Sequence, residues 1–155
     1  MSEEADKLFR LIRDGGTMAT DLYSLCTGKE LGQGCSRLVF DFALDQTCVI
    51  KFETAGGSFD NVVEWDVWNA YRFDKRMSKW LAPCVSISPC GSILIQKKTT
   101  PIYKDRLPKK IPRVFTDLKE TNWGLLDGRP VCHDYGNHRI FNGGDLYRLV
   151  NADWW

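Results

Sequence analysis

Residues 29–53 constrain the fold most, because they hold three strand-like segments separated by connections of only two residues. The segment KELGQG (29–34) leads into RLVFDFAL (37–44) and then TCVIKFE (47–53), and the last two are rich in the β-branched and aromatic residues that favour strands. Connections this short leave no room for a crossover helix, so neighbouring segments must run antiparallel. The sequence therefore predicts a locally paired, three-stranded antiparallel sheet.

One helix and two further strands are predicted to complete this sheet. Asp60 is expected to cap a helix that runs from Asn61 to about Phe73. One face of this helix is formed by residues at i, i+4, i+7 and i+8 spacing, namely Val63, Val67, Ala70 and Tyr71. The segments CVSIS (84–88) and SILIQKK (92–98) follow as strands joined by a Pro-Cys-Gly turn. The prediction is an α+β fold with a five-stranded antiparallel sheet and one main helix.

The flanking regions carry simpler patterns. Residues 3–13 have apolar positions at helical spacing, and residues 17–26 are predicted to form a second short helix. Residues 99–113 contain three prolines and predict an irregular basic connector. We interpret the chain as one domain with four parts, namely an N-terminal helical extension (1–27), the sheet region (28–98), a loop-rich region (99–140) and a C-terminal segment (141–155).

Composition argues against several classes of function. The chain has 155 residues, of which 43% are hydrophobic, and this suffices for one domain with a core. A formal net charge of +1 gives no general reason to bind nucleic acid, and a basic connector is typical of a solvated loop. No stretch reaches the roughly 20 apolar residues of a membrane helix. The polar start MSEEADK does not resemble a signal peptide, so we expect a cytoplasmic protein.

The cysteines predict a reduced protein. They stand at positions 26, 35, 48, 84, 90 and 132 and form no CxxC pair. Neither His133 nor His138 has zinc-finger spacing from a cysteine pair. Cys48 and Cys132 occupy positions within hydrophobic segments, where apolar residues are usual. We therefore expect buried, reduced thiols, as in a cytosolic protein.

The segment FTDLKETNWGLLDGRPVCHDYG (115–136) concentrates side chains that suit a metal ion. Asp117 and Asn122 lie five residues apart, and a predicted hairpin with an Asp-Gly turn leads to Asp134. Two carboxylates and an amide oxygen that converge on one point suit a hard cation such as Mg²⁺. An ordinary polar loop with a hairpin is the alternative for this segment taken alone.

Three upstream features would matter for a phosphate ligand. Gly32 and Gly34 lie between two strands, where glycine allows a close approach to phosphate, although a plain turn also explains them. Lys51 stands in the middle of a strand, where a lysine usually faces solvent. Glu64 lies in the first turn of the predicted helix, where a carboxylate complements the helix dipole and is also placed to reach the strand lysine.

In this order the pieces resemble the signature set of the protein kinases. LGQGCSRLV (31–39) resembles the glycine-rich loop, VIK (49–51) the strand lysine motif, and Glu64 its partner glutamate. TDLKETN (116–122) resembles the catalytic loop, and DYG (134–136) the metal-binding DFG motif. The phrase NWGLLDGRPVCHDYG is also similar to short kinase-like proteins of bacteriophages.

The resemblance implies that the upstream residues bind ATP. Gly32 and Gly34 would cover the phosphates. Lys51 would pair with the α- and β-phosphates and would be held by Glu64. Gln96 would lie near the linker that binds adenine.

The resemblance also implies which residues carry the transfer. Asp117 would orient and deprotonate an acceptor hydroxyl, and Lys119 would contact the γ-phosphate. Asn122 and Asp134 would hold Mg²⁺. Phosphoryl transfer needs mainly positioning and charge neutralisation from the protein, and these residue types provide both.

The chain departs from the kinase pattern in three ways. Arg37 replaces the third glycine of the loop, and Phe115-Thr116 stand where a histidine usually precedes the catalytic aspartate. Only 18 residues separate Lys98 from Asp117, and only 19 follow Gly136. The expected molecule is a kinase-like small lobe with a catalytic loop and a DYG hairpin, in which the larger helical lobe and its surface for peptide docking are largely missing.

Two functions are predicted, and a third interpretation stays open. The first is a minimal ATP- and Mg²⁺-dependent phosphotransferase, a protein kinase of the Ser/Thr type that acts on a hydroxyl acceptor. The alternative is a weak or inactive kinase-like protein that inhibits or redirects a host protein, in the host cytoplasm if the source is viral. The third is an unrelated small α+β domain. Trp154 and Trp155 either fold back onto the core or form an exposed anchor for a partner or a homodimer.

Overall fold

The computed structural model of the protein describes residues 17–54, 58–141 and 144–155. The helix predicted over residues 3–13 lies outside the described residues. The helix predicted over residues 17–26 is present with those bounds, as α1 (Thr17–Cys26).

The main sheet has five antiparallel strands, as predicted. They are β1 (Thr27–Gln33), β2 (Arg37–Phe42), β3 (Cys48–Glu53), β4 (Cys84–Ile87) and β5 (Ile93–Lys97). Their order across the sheet is β1-β2-β3-β5-β4, so β3 lies in the middle. The register places Lys51 of β3 between Val39 of β2 and Leu94 of β5. The central strand therefore carries the predicted site lysine.

Helix α2 (Asp60–Tyr71) begins differently from the prediction, in which Asp60 was its cap. Phe59 is the cap residue and has a left-handed backbone with φ 56°, while Asp60 already lies in the helix. The Glu53 carboxylate at the end of β3 accepts hydrogen bonds from the backbone N–H of Phe59 (3.1 Å) and Asn61 (2.7 Å). A side chain from the sheet therefore satisfies helix donors that a local cap would otherwise bind.

The buried face of α2 also differs from the prediction. Ala70 is exposed, and Val63 is only half-buried. The buried residues of the helix are Asp60, Asn61, Glu64 and Val67. Three of these four are polar, because this face packs against charged side chains of the sheet as well as apolar ones. A short helix, α3 (Lys75–Ser78), follows.

The second half of the chain forms two small sheets, and residues 99–113, predicted as an irregular connector, contribute two short strands and a 3₁₀ turn because their backbone pairs with later segments. The five short strands are β6 (Thr100–Pro101), β7 (Lys110–Pro112), β8 (Trp123–Leu126), β9 (Arg129–Cys132) and β10 (Leu149–Asn151). Strands β6, β8 and β9 form one sheet, and β7 pairs with β10 in the other. The β8–β9 turn has positive φ at Asp127 (50°) and Gly128 (75°), which confirms the predicted Asp-Gly hairpin. Two 3₁₀ turns, Lys104–Arg106 and Glu120–Asn122, complete the regular structure of the region.

One apolar core joins the main sheet to the second half of the chain. It includes residues from both halves, among them Val67, Met77, Leu81, Leu94, Ile111, Val114, Trp123 and Tyr135. All six cysteines are free. The prediction of buried thiols holds for Cys48, Cys84 and Cys132 but is wrong for Cys35 and Cys90, which are exposed because they lie in turns of the sheet.

The two terminal tryptophans differ: Trp154 folds back onto the core, whereas Trp155 is held by its backbone and stays largely exposed. Trp154 donates its indole N–H to the Pro108 carbonyl (3.0 Å) and packs edge-on against Trp123, with ring centroids 5.2 Å apart. Trp155 pairs its backbone with the carbonyl of Leu118 and the N–H of Glu120, both at 3.2 Å. Trp155 as a whole is 65% exposed.

No helix within the three described ranges is long and apolar enough to cross a bilayer.

Candidate functional site

The predicted site residues surround one cleft of about 1300 Å³ between the main sheet and the β8–β9 hairpin. Eight of them line it, namely Gly32, Gly34, Lys51, Gln96, Asp117, Lys119, Asn122 and Asp134. The ninth, Glu64, lies behind Lys51. Residues that are as much as 102 positions apart in the sequence therefore face the same space.

Lys51 is buried, with 3% exposure, and does not face solvent as a strand lysine usually does. Its Nζ lies 2.8 Å from Glu64 Oε2 and 2.5 Å from the carbonyl oxygen of His133. An ammonium group removed from water needs such partners, because desolvation otherwise costs several kcal/mol. The lysine and glutamate that the sequence suggested as partners therefore form a direct ion pair.

Glu64 accepts from three further groups as well as from Lys51. Its Oε1 lies 3.0 Å from Arg37 Nη1 and accepts the backbone N–H of Tyr135 at 3.1 Å. The side-chain amide of Gln96 donates to Oε2 at 3.5 Å. Glu64 has no solvent exposure, so every favourable interaction of its charge comes from these protein groups. One carboxylate thus joins α2 to β2, β3, β5 and the DYG segment.

Arg37, which stands in place of the third glycine of the loop, forms an ion cluster with Lys51, Glu64 and Asp134. The guanidinium lies between two carboxylates, with Nη1 on Glu64 and Nη2 on Asp134, and Nη1 also lies 3.5 Å from Asn61 Oδ1. Burial by itself would lower the pKa of Arg37, but Glu64 and Asp134 raise it above its usual value. Arg37 therefore always carries its positive charge within the cleft.

The carboxylate of Asp134 is already paired by this arginine. Burial would raise the pKa of Asp134, yet the positive charges of Arg37 and Lys51 lower it overall. Asp134 is thus held as a carboxylate, which is the form that a metal ion requires. The same interaction makes Arg37 a competitor for its Oδ1 atom. Spacing within the sequence gave no signal for this pair, because its members are 97 residues apart.

Asn122 and Asp117 contact each other directly. The amide nitrogen of Asn122 donates to Asp117 Oδ2 at 3.0 Å, and the Asn122 backbone carbonyl accepts the N–H of His133 at 2.9 Å. Because the amide nitrogen is used in this way, the amide oxygen of Asn122 is the atom that can act as a ligand.

The donor set fits Mg²⁺ when a ligand supplies further oxygens. No three His, Cys, Asp or Glu side chains among the described residues come together as a metal site of their own. Mg²⁺ bound with a nucleotide typically takes only one or two protein carboxylates, and phosphates and water complete the shell. Asp134 and Asn122 would hold the ion in this way.

Gly32 and Gly34 form an open wall of the cleft. A Cβ atom added at Gly32 would meet no atom within 4 Å, and one at Gly34 would meet only the Arg37 carbonyl oxygen at 3.9 Å. Packing inside the protein therefore does not require glycine at either position. A ligand that approaches the backbone closely would require it, and this observation fits a bound phosphate chain.

Gln96 was expected near the linker that follows β5, but it lies within the strand itself. Its side chain is fully buried and donates to Glu64. Strand β5 pairs with β3, which carries Lys51, and this pairing brings Gln96 close to the partner of that lysine. Gln96 therefore supports the ion cluster. The residues after Gln96 that line the cleft run from Lys97, the last residue of β5, through the linker Lys98-Thr99 and β6 to Ile102.

His133 is a residue whose role the sequence did not indicate. Its Nε2 donates to the Thr121 carbonyl (2.9 Å), so Nδ1 is the acceptor for the Thr99 hydroxyl (2.8 Å). Burial and the positive charge of Lys51 lower the pKa of His133 to about 4. A neutral imidazole thus ties the linker to the loop beside Asp134.

His138 holds the segment that carries Asp117. Its Nδ1 accepts the backbone N–H groups of Thr116 (3.0 Å) and Asp117 (3.1 Å). Burial lowers the pKa of His138 to about 4, and the charges of Asp117 and Asp134 oppose this shift. The sequence signalled only that the usual loop histidine was absent.

Lys119 lies on the exposed side of the cleft. Its Nζ is 5.0 Å from the centroid of the Trp155 ring, within the range of a cation–π contact. The backbone pairing of Trp155 with Leu118 and Glu120 brackets Lys119 on both sides. Residues near the end of the sequence therefore restrain the loop that presents this lysine.

No protein-family model matches the chain, and no curated protein matches it at a significant level. The interpretation of the site therefore rests on the geometry of its side chains.

The ion cluster predicts a large cost for neutralising Glu64. Glu64→Gln keeps the shape of the side chain but leaves Arg37 and Lys51 buried with less opposing charge, so the free energy of unfolding is expected to fall by about 3–5 kcal/mol. Urea unfolding followed by tryptophan fluorescence measures this. The control is Glu120→Gln, whose carboxylate pairs with the exposed Lys104 and should cost about 1 kcal/mol or less. Equal losses in the two variants would contradict the buried cluster.

Proposed function

We propose that the protein has a kinase-like fold and transfers the γ-phosphoryl group of ATP to a hydroxyl acceptor. The observation that carries this proposal is the convergence of the Lys51–Glu64 ion pair, Asp117, Asn122 and Asp134 on one cleft. These are the side chains that phosphoryl transfer requires for positioning and for charge neutralisation. Bound ATP would supply the phosphoryl group and leave as ADP, and Mg²⁺ held by Asp134 and Asn122 would neutralise negative charge.

Lys51 binds a phosphate oxygen in this proposal. Its ammonium group has three N–H donors, and Glu64 and the His133 carbonyl accept two of them. The third is the donor for the nucleotide. Glu64 and His133 hold the lysine in place before the ligand arrives, so little entropy is lost on binding.

Asp117 accepts the proton of the acceptor hydroxyl. Asn122 donates to its Oδ2, which orients the carboxylate and leaves the other oxygen to face the hydroxyl. Lys119 neutralises charge on the transferred group from the exposed side of the cleft. A protein Ser or Thr hydroxyl is the proposed acceptor, because Lys119 lines the cleft and is exposed to solvent, where a second protein can reach it.

One observation favours the second function, an inactive kinase-like protein that binds a host protein. The Arg37 guanidinium is paired with the Asp134 carboxylate, so the positive charge of Arg37 already lies where a metal ion would bind. If Arg37 stays there, the cleft holds nucleotide weakly or without metal, and the surface of the protein becomes the functional part. The exposed ring of Trp155 then offers an aromatic contact for a partner protein or a second copy of the chain.

Thermal unfolding with and without ATP and Mg²⁺ tests the binding site. Ligand at 100 times its Kd should stabilise the wild type by about 2.7 kcal/mol, or roughly 5–10 °C for a chain of this size. The shift should shrink in Asp134→Asn, because an amide binds Mg²⁺ more weakly than a carboxylate. Asp66→Asn, an exposed position on α2, should keep the full shift. No shift in the wild type at millimolar ATP would contradict nucleotide binding.

Phosphotransfer to a protein hydroxyl tests the reaction. Asp117→Asn should keep the thermal shift with ATP and Mg²⁺ but lower kcat by about 10²–10⁴-fold, the usual contribution of a general base. Transfer from γ-labelled ATP to a generic protein substrate, and to the protein itself, measures this. A wild type that binds ATP without any transfer would favour the second function.

The Arg37–Asp134 pair predicts a gain from removing the arginine. Arg37→Gln releases the Asp134 carboxylate, and a hydrogen bond to a charged group contributes about 1.5–3 kcal/mol, so the Mg²⁺ concentration for half of the ATP-dependent shift should fall by roughly tenfold or more. Arg76→Gln, which removes the partner of Asp74 at the surface, is the control, and it should leave the Mg²⁺ requirement unchanged. An unchanged or higher Mg²⁺ requirement in Arg37→Gln would show that Arg37 does not compete with the metal.

A further inference from the structure

The loop that carries Asp117 has no regular secondary structure to fix it. Residues 115–119 follow a turn and precede the 3₁₀ turn Glu120–Asn122. In a helix or strand, the backbone would be held by its own hydrogen bonds, but here each N–H needs another acceptor. A half-buried Asp117 in such a segment can adopt many positions unless something outside the segment holds it.

A single side chain accepts the two N–H groups that matter most. His138 Nδ1 lies 3.0 Å from the Thr116 nitrogen and 3.1 Å from the Asp117 nitrogen. One acceptor that binds two successive amides fixes both peptide planes next to the Asp117 side chain. No other residue of the described chain accepts these two N–H groups.

The surroundings of His138 keep it in the accepting form. The ring is 9% exposed, packs edge-on against Phe115 with centroids 5.1 Å apart, and has its Nε2 atom 3.4 Å from Cys132 Sγ. Because Nδ1 accepts, the ring proton belongs on Nε2, facing the cysteine sulfur. The charged groups that influence the ring are the carboxylates of Asp117 and Asp134. Neither carboxylate accepts the Thr116 or Asp117 N–H, so Nδ1 of His138 is the acceptor for both amides.

We propose that His138 is a positioning residue for the reaction, and that its Nδ1 sets the place of the Asp117 carboxylate by holding the Thr116 and Asp117 amides. This inference rests on the proposed phosphotransfer. His138 itself does not contact the acceptor and takes no proton from it. The proposal therefore requires a hydrogen-bond acceptor at the δ position of residue 138, and it does not require an imidazole.

Two nearly isosteric variants separate the acceptor from the packing. His138→Asn and His138→Leu branch at the same atom and leave similar space, but only asparagine has an acceptor oxygen at the δ position. His138→Leu is expected to lower kcat roughly 100-fold, the effect of a misplacement of about 1 Å, while KM for ATP changes less than about threefold. His138→Asn should recover at least tenfold of that loss. If the leucine variant does not fold, His138→Phe keeps the ring against Phe115 without an acceptor and replaces it.

Hydrogen exchange of the backbone provides a readout that needs no activity. The Thr116 and Asp117 amides should exchange faster in His138→Leu than in the wild type, and His138→Asn should restore part of the protection. Amides of β8, none of which donates to His138, serve as the internal control.

The outcomes separate this inference from the proposed function. An active wild type with equal kcat in the asparagine and leucine variants would overturn the positioning role and leave the phosphotransfer intact. A second outcome is that the wild type shows no transfer, while the Thr116 and Asp117 amides lose protection in the leucine variant and regain part of it in the asparagine variant. This would overturn the phosphotransfer and support His138 as the residue that holds the loop. Equal exchange in all three proteins would overturn the positioning role in either case.

Discussion

The buried carboxylate of Glu64 is the interaction on which the cleft depends, because two buried cations share its negative charge. Arg37 and Lys51 come from neighbouring strands, and the Tyr135 amide comes from the segment after the hairpin. None of these charges can be solvated by water, so each must keep its protein partner. The carboxylate therefore fixes α2, the sheet and the DYG segment in one arrangement, and that arrangement forms one wall of the cleft.

The opposite wall is held by a different means. The loop with Asp117 and Lys119 is fixed by side-chain and backbone contacts from two later parts of the chain, His138 and Trp155. Around Trp123 a group of aromatic rings packs edge to edge beneath this loop. A few specific hydrogen bonds thus hold this loop, and its position depends strongly on each of them.

The two proposed functions differ in the position of one side chain. If Arg37 leaves Asp134 when nucleotide arrives, the freed carboxylate can hold a metal ion and the cleft can support transfer. If Arg37 stays, its charge stands permanently in the place of a cation, and the cleft is better suited to binding than to catalysis. Which of the two holds depends on the free-energy difference between the Arg37–Asp134 ion pair and a bond from the Asp134 carboxylate to a metal ion. Both interactions remove water from the same carboxylate oxygens.

The sequence by itself determined the features that depend on neighbours in the chain: the five strands of the main sheet, the Asp127-Gly128 hairpin and helix α1. It also indicated the pairing of Lys51 with Glu64, through its resemblance to kinase motifs. Periodicity failed at the buried face of α2, because it counts apolar residues and that face is polar. Only the tertiary structure decided that Arg37 pairs with Asp134 and that His138 holds the loop of Asp117. These contacts join distant segments, and their energy exists only once folding has removed the water between them.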